Sequence, residues 1–162
     1  MKGEAEMKRF FYGWIKEVWA TANKLNHTKL RYPNITWFHI KGTEEAPDQA
    51  AAWALEKGRI GICIEYAYFY RVEMQKILIH EVAHCFTYHK MCKRGRGESM
   101  HGNLWRSTAH SLAKFFRVPN TVADHAYHNL WCSPEQIAFC KARKPQKNKK
   151  MAVVKPVWEW KK

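Results

Sequence analysis

His80-Glu81-Val82-Ala83-His84 is the segment whose residue types and spacing can do chemistry. Histidines at i and i+4 of a helix project from one face about one turn apart, so both imidazoles can reach one tetrahedral Zn²⁺ at about 2.0–2.1 Å. Glu81 stands one residue along, close enough to act on a metal-bound water without being a ligand. Zinc lowers the pKa of such a water toward ~7, and a carboxylate beside it takes the proton to leave a hydroxide nucleophile. The five-residue pattern also arises by chance, and then means two partly exposed histidines and a glutamate on an amphipathic helix. Its neighbours favour the metal: Ile77, Leu78, Ile79, Val82, Ala83 and Phe86 make the helix a largely buried one. Three ionisable groups in such a helix are costly without a partner.

A catalytic zinc takes three protein ligands and leaves the fourth position to water. His101 is the expected third ligand, opening the run His101-Gly102-Asn103-Leu104-Trp105 beyond a glycine-bearing segment. Gly102 permits close backbone approach, and Trp105 one turn on can pack beside the motif helix. His89 and Glu98 are the rivals. His89 falls five residues after His84 and rotates off the face; Glu98 would supply the glutamate that some zincins use. His125, His128, Cys132 and Cys140 form a second candidate cluster, which packing between helices explains as well, since reduced cysteines are commonly buried. Cys85 reads as a small buried residue, and Tyr66, Tyr68, Phe69 and Tyr70 as core aromatics.

The elements that position these residues follow from periodicity. Phe10, Trp14 and Val18 predict a helix over 6–25, and Ile35–Ile40 is β-branched and aromatic, a strand. Lys41–Gln49 reads as a loop. Ala51–Glu56 and Arg59–Tyr66 flank Lys57-Gly58 as the arms of a hairpin, although the Ala-rich first arm suits a helix equally. A helix from Val72 to about His89 carries the motif, and Lys90–Ser99 reads as a mobile basic loop. Further helices are expected over about 102–116, 121–130 and 134–141, the last started by Ser133-Pro134-Glu135.

With 162 residues the chain suits one domain, and 46% hydrophobic and 14% aromatic residues exclude a disordered basic tail. Lys+Arg 28 against Asp+Glu 14 gives a formal charge of +14, which favours a polyanionic partner. Five cysteines without a CxxC pair exclude a disulfide framework and a zinc ribbon, and read as reduced thiols in the cytosol. No secretory signal is visible, nor a run approaching the ~18 apolar residues of a membrane span. The expectation is a cytoplasmic or nucleoid- or nucleus-associated protein, neither secreted nor in a membrane. Residues 1–140 form the expected domain. Residues 141–162 hold nine basic residues and one acidic, a charge of +8, and read as a flexible tail. Its Lys141, Arg143, Lys144, Lys147, Lys149 and Lys150 are the expected nucleic-acid contacts, with Trp158 and Trp160 available to stack on bases.

The strand Gly61-Ile62-Cys63-Ile64, the motif His80–His84 and the run His101–Trp105, taken in this order over about residues 6–117, resemble the SprT-like metalloprotease domain, the class that includes Spartan. The resemblance implies an α+β fold, a compact zincin-like domain with a small sheet packed on the active-site helix carrying HExxH and further helices toward the C-terminus. It implies that His80, His84 and His101 bind one zinc and that Glu81 is the catalytic base. It also implies cleavage of proteins associated with DNA or crosslinked to it, single-stranded or structured. The C-terminal zinc-binding or partner-binding module that members often carry is not visible here; a basic tail stands in its place. On this reading Arg59–Glu65 runs beside the metal as a sheet edge to which a substrate peptide adds as a strand. Tyr127 and His125 are available to stabilise the oxyanion, and spacing does not choose between them. Two other readings stay open: a zinc peptidase with a non-DNA protein target, and a basic nucleic-acid-binding module whose zinc site is not catalytic.

Overall fold

The computed structural model describes residues 2–41, 50–55, 58–94, 101–119 and 133–142. Helix α1 (Lys2–Leu25) buries one stripe, Met7, Phe11, Trp14, Ile15, Val18 and Ala22, at the three- and four-residue spacing of an amphipathic helix. It ends at Leu25, and two residues on His27 takes a left-handed φ of 52°. The Asn23 side chain then straps the exit, its Oδ1 accepting the Leu30 N–H at 2.7 Å and its Nδ2 donating to the Leu30 carbonyl at 3.0 Å.

Three strands follow, β1 (Asn34–Phe38), β2 (Ala52–Leu55) and β3 (Arg59–Cys63). The sheet order is β1-β3-β2, with β1 parallel and β2 antiparallel to β3. The Ala-rich arm is therefore a strand, and the turn into β3 uses Gly58 at φ +67°. Ile60 and Ile62 lie on the core face beside Ile35 and Trp37 of β1, and all four join the main core. On the other face the Trp53 indole lies over Gly61, where a Cβ would fall inside the ring, and stacks with Phe38 at 6.3 Å between centroids.

Two expectations about this region are corrected. The second hairpin arm ends at Cys63, because Ile64–Phe69 already forms a short helix, α2. Nor is this arm a sheet edge: β3 is the central strand, hydrogen-bonded on both sides, and the edges are β1 and β2. Alternating isoleucines signal a buried face and are silent about which strand lies outermost.

Helix α3 (Arg71–Arg94) carries the motif and is buried from Ile77 through Thr87 without a break. It lies against β2, α1 and α4 (Asn103–Phe116), so it has apolar neighbours around most of its circumference. The Trp14 indole N–H donates to the Gln75 carbonyl at 3.0 Å and ties α1 to it. The predicted basic loop is corrected in part: residues 90–94 continue α3, and 95–99 lie outside the described residues. Basic residues near a helix C-terminus suit its dipole, so Lys90 and its neighbours do not end the helix.

Helix α5 (Pro134–Ala142) starts on a capping box, the Gln136 N–H donating to Ser133 Oγ at 3.1 Å and the Ser133 N–H to Gln136 Oε1 at 2.8 Å. It crosses the boundary expected after residue 140. The expected 121–130 helix and the 143–162 segment lie outside the described residues. The architecture is α+β, a three-stranded sheet with helices packed on its core face. No helix among the described residues is long and apolar enough to cross a membrane.

Candidate metal centre

His80 and His84 are 2% and 7% exposed, one turn apart on α3, and His101 stands just before α4 at their side. His84 Nε2 lies 3.0 Å from His80 Nε2, and His101 Nε2 lies 3.3 Å from the same atom. A tetrahedral ion with imidazole nitrogens at about 2.0–2.1 Å holds them about 3.3 Å apart. The three imidazoles thus present the separations of a metal-binding set, with a ligand atom from each within 4.8 Å of the others. They are the one such cluster of histidine, cysteine or carboxylate among the described residues. Lone pairs turned on one another at this range repel unless a proton or a cation lies between them, so the donor set fits a metal ion.

Burial, then the neighbouring His80 and His101, push the His84 imidazole down to about 3. It is therefore neutral at ordinary pH, the form that ligates a metal. Among the described residues its buried Nδ1 has no hydrogen-bond partner, neither the carbonyl nor the carboxylate that commonly orients a ligating imidazole. Packing takes that role. The Trp105 ring lies 4.7 Å from His80, 5.4 Å from His84 and 4.7 Å from His101, walling one side of the cluster. Trp105 is itself wholly buried, its indole nitrogen unpartnered among the described residues.

Glu81 sits beside the motif histidines at 6% exposure. Burial raises its carboxyl to about 8, against which a hydrogen bond from the Ala54 backbone N–H pulls downward. That contact joins the outer edge of β2 to the carboxyl, and the sequence reading missed it. Only the antiparallel pairing of β2 with β3, which turns alternate N–H groups outward, could have announced it. Cys85 is buried, and that burial, with Glu81 nearby, pushes its thiol up to about 12, so it is no nucleophile.

The other candidates separate cleanly. His89 is half-buried on α3 and is not one of the gathered ligands. Cys140 is buried in α5, while Glu98, His125, Tyr127, His128 and Cys132 lie outside the described residues. Of the expected nucleic-acid contacts, Lys141 is an exposed residue of α5 and not part of a flexible tail. Arg143, Lys144, Lys147, Lys149 and Lys150 lie outside the described residues. Tyr66 is core, its hydroxyl accepting from Gln136 Nε2 at 3.3 Å, and Tyr68 and Tyr70 pack against that core.

No known protein family, curated protein or solved structure matches the chain.

Proposed function

We propose that this chain is a zinc metalloendopeptidase of the SprT-like type, acting on proteins associated with DNA or crosslinked to it. The observation that carries this reading is the convergence of three imidazole Nε2 atoms next to a buried carboxyl. A structural zinc site has no need of a carboxyl there, whereas peptide hydrolysis requires a base. His80, His84 and His101 would hold the zinc, which when bound would supply Lewis acidity toward a scissile carbonyl and a water and would favour the ionised form of Glu81.

The chain's own residues do the rest. Glu81 moves the proton, accepting it from the attacking water and returning it to the departing amine. A carboxyl that burial pushes up and the Ala54 N–H pulls down is suited to both halves of that transfer. The Ala54 N–H fixes the carboxyl, and Trp105 keeps solvent from one side of the imidazoles. β2 is the sheet edge next to Glu81, so a substrate peptide adds to β2 through its outward backbone groups other than the Ala54 N–H, which the carboxyl holds. The charge of +14 supports a DNA-borne substrate, because polyanion and protease are then brought together electrostatically.

The test is cleavage of a basic protein substrate by the zinc-loaded chain, with and without single-stranded DNA, beside Glu81→Gln. DNA-stimulated cleavage that vanishes in Glu81→Gln is expected. Cleavage indifferent to DNA would replace the DNA-directed reading with a peptidase of another target; cleavage that survives in Glu81→Gln would overturn the assigned base.

A further inference from the structure

Helix α4 is amphipathic, and its solvent face is of one sign. Arg106, His110 and Lys114 follow at i, i+4 and i+8, with Arg117 just beyond the last turn, and all four are exposed. No acidic residue occurs anywhere in Asn103–Phe116. The other long helices each mix the signs: Lys8 pairs with Glu4 on α1, and Lys76 with Glu73 at 3.0 Å on α3. A solvated face kept only for solubility gains from mixed signs, and α4 forgoes them.

Two further features point the same way. Phe115 is 43% exposed, set between Lys114 and Arg117 in the chain. Arg117 occupies the residue after the helix in the left-handed region, φ 53° and ψ 36°, a place glycine fills without strain. Here a strained arginine extends the basic row by one more charge.

We propose that the solvent face of α4 is the track for a single-stranded nucleic acid, with Arg106, Lys114 and Arg117 holding phosphates and Phe115 stacking a base. Four residues of helix rise about 6 Å, comparable with the step between phosphates of a stretched strand, and the helix runs about 21 Å. An exposed aromatic ring among cations is the combination that grips single strands, since every base has a face to stack and every nucleotide a phosphate. The track begins at the metal centre, because His101 immediately precedes α4. A strand lying on it holds a protein attached to that strand close to Glu81. The proposal deepens the DNA-directed reading and rests on it for the identity of the polyanion.

The experiment is fluorescence anisotropy of a labelled oligothymidylate with the full zinc-loaded chain over a range of salt. It compares the wild type, the triple variant Arg106→Ala/Lys114→Ala/Arg117→Gly, Phe115→Ala, and a tail variant with Lys144, Lys147, Lys149 and Lys150 changed to Ala. Each phosphate contact on a single strand contributes about 0.7 to the logarithmic salt slope, so the triple variant is expected to flatten it by about 2 and to lose at least tenfold in affinity. Phe115→Ala is expected to weaken binding about fivefold or more with the slope unchanged. The melting temperature is expected to hold in the triple variant, since the changed side chains are exposed and glycine suits position 117.

An unchanged slope and affinity in the triple variant would overturn the proposal, as would binding abolished by the tail variant alone. Loss of binding to phosphatidylserine vesicles with the oligonucleotide still bound would overturn it in favour of a membrane surface. The readout is binding, so a chain that binds through α4 and cleaves nothing contradicts the protease reading alone. A chain that cleaves with no α4-dependent binding contradicts this proposal alone.

Discussion

Helices α3 and α4 lie against each other and both carry histidines, yet they treat polar residues in opposite ways. On α3, His80, Glu81 and His84 are withdrawn from solvent, where each needs compensation. On α4, His110 and the cations beside it face water, where a charge costs little. The difference shows that residue type alone does not mark a site; what marks it is a polar group held where it is expensive. The compensation available on α3 is mutual: three nitrogens turned inward on one another and a backbone N–H turned to the carboxyl. On α4 the inward side is apolar, Trp105, Ala109, Leu112 and Phe116, but for Thr108, whose hydroxyl accepts from Lys90 and donates to Asn26; the outward side is charge with no counter-charge in the helix.

The sharpest way to break this contrast is to remove a ligand from the buried side. His84→Ala is expected to reduce bound zinc from one per chain to less than a tenth of that, measured by emission spectroscopy. In the wild type, chelation is expected to lower the melting temperature by about 5–10 °C, the linkage expected of an ion present at about a hundred times its dissociation constant. In His84→Ala chelation is expected to change nothing. A chelator-sensitive melt in the variant would mean that the ion sits elsewhere.

Trp105 sharpens the comparison from the other direction, because it belongs to α4 yet serves α3. Trp105→Ala removes a fully buried ring and is expected to cost about 3–5 kcal/mol in urea unfolding. It also frees three imidazoles that packing had oriented, so zinc affinity is expected to fall about 10- to 100-fold. A destabilised variant with unaltered zinc affinity would show that the ring is a core residue only.

The smallest effect lies at the far end of the sheet. Burial favours a neutral Glu65, but the His39 imidazole at 2.8 Å and the Ile40 N–H at 2.9 Å outweigh it and bring the carboxyl below its usual 4.5. A carboxyl lowered on folding stabilises fully above its unfolded value, and that contribution is lost as pH falls from about 4.5 through the folded value. Since Glu65 is only partly buried and His39 exposed, the contribution is below about 1 kcal/mol. Glu65→Gln is expected to flatten the acid limb of a stability–pH curve by that amount, and an acid limb that steepens would refute the assignment.

Much of this was legible in the sequence, for identifiable reasons. The helices announced themselves wherever an apolar stripe met a stop signal, as in Met7–Ala22 before His27, or a start signal, as at Ser133-Pro134-Glu135-Gln136. The histidines of α3 were fixed by helical geometry, and His101 by its place beside Trp105. What could not be read was strand order. Alternation in Ile60, Ile62 and Ile64 is the same for a central strand and for one with a free edge, so β3 was expected at the rim that β2 occupies. The hydrogen bond from Ala54 to Glu81 was invisible for the same reason, since a backbone donor has no signature in residue type. The end of α3 was missed because glycines and lysines after His89 resemble a loop, while lysines are good helix formers.

The central claim is that the three clustered imidazoles hold one zinc ion that Glu81 serves but does not ligate. Native mass spectrometry of the full chain, beside Glu81→Gln and His101→Ala, tests it most directly. One zinc per chain in the wild type, one retained in Glu81→Gln and none in His101→Ala is the predicted result. Zinc lost from Glu81→Gln, or retained at full occupancy in His101→Ala, would contradict it.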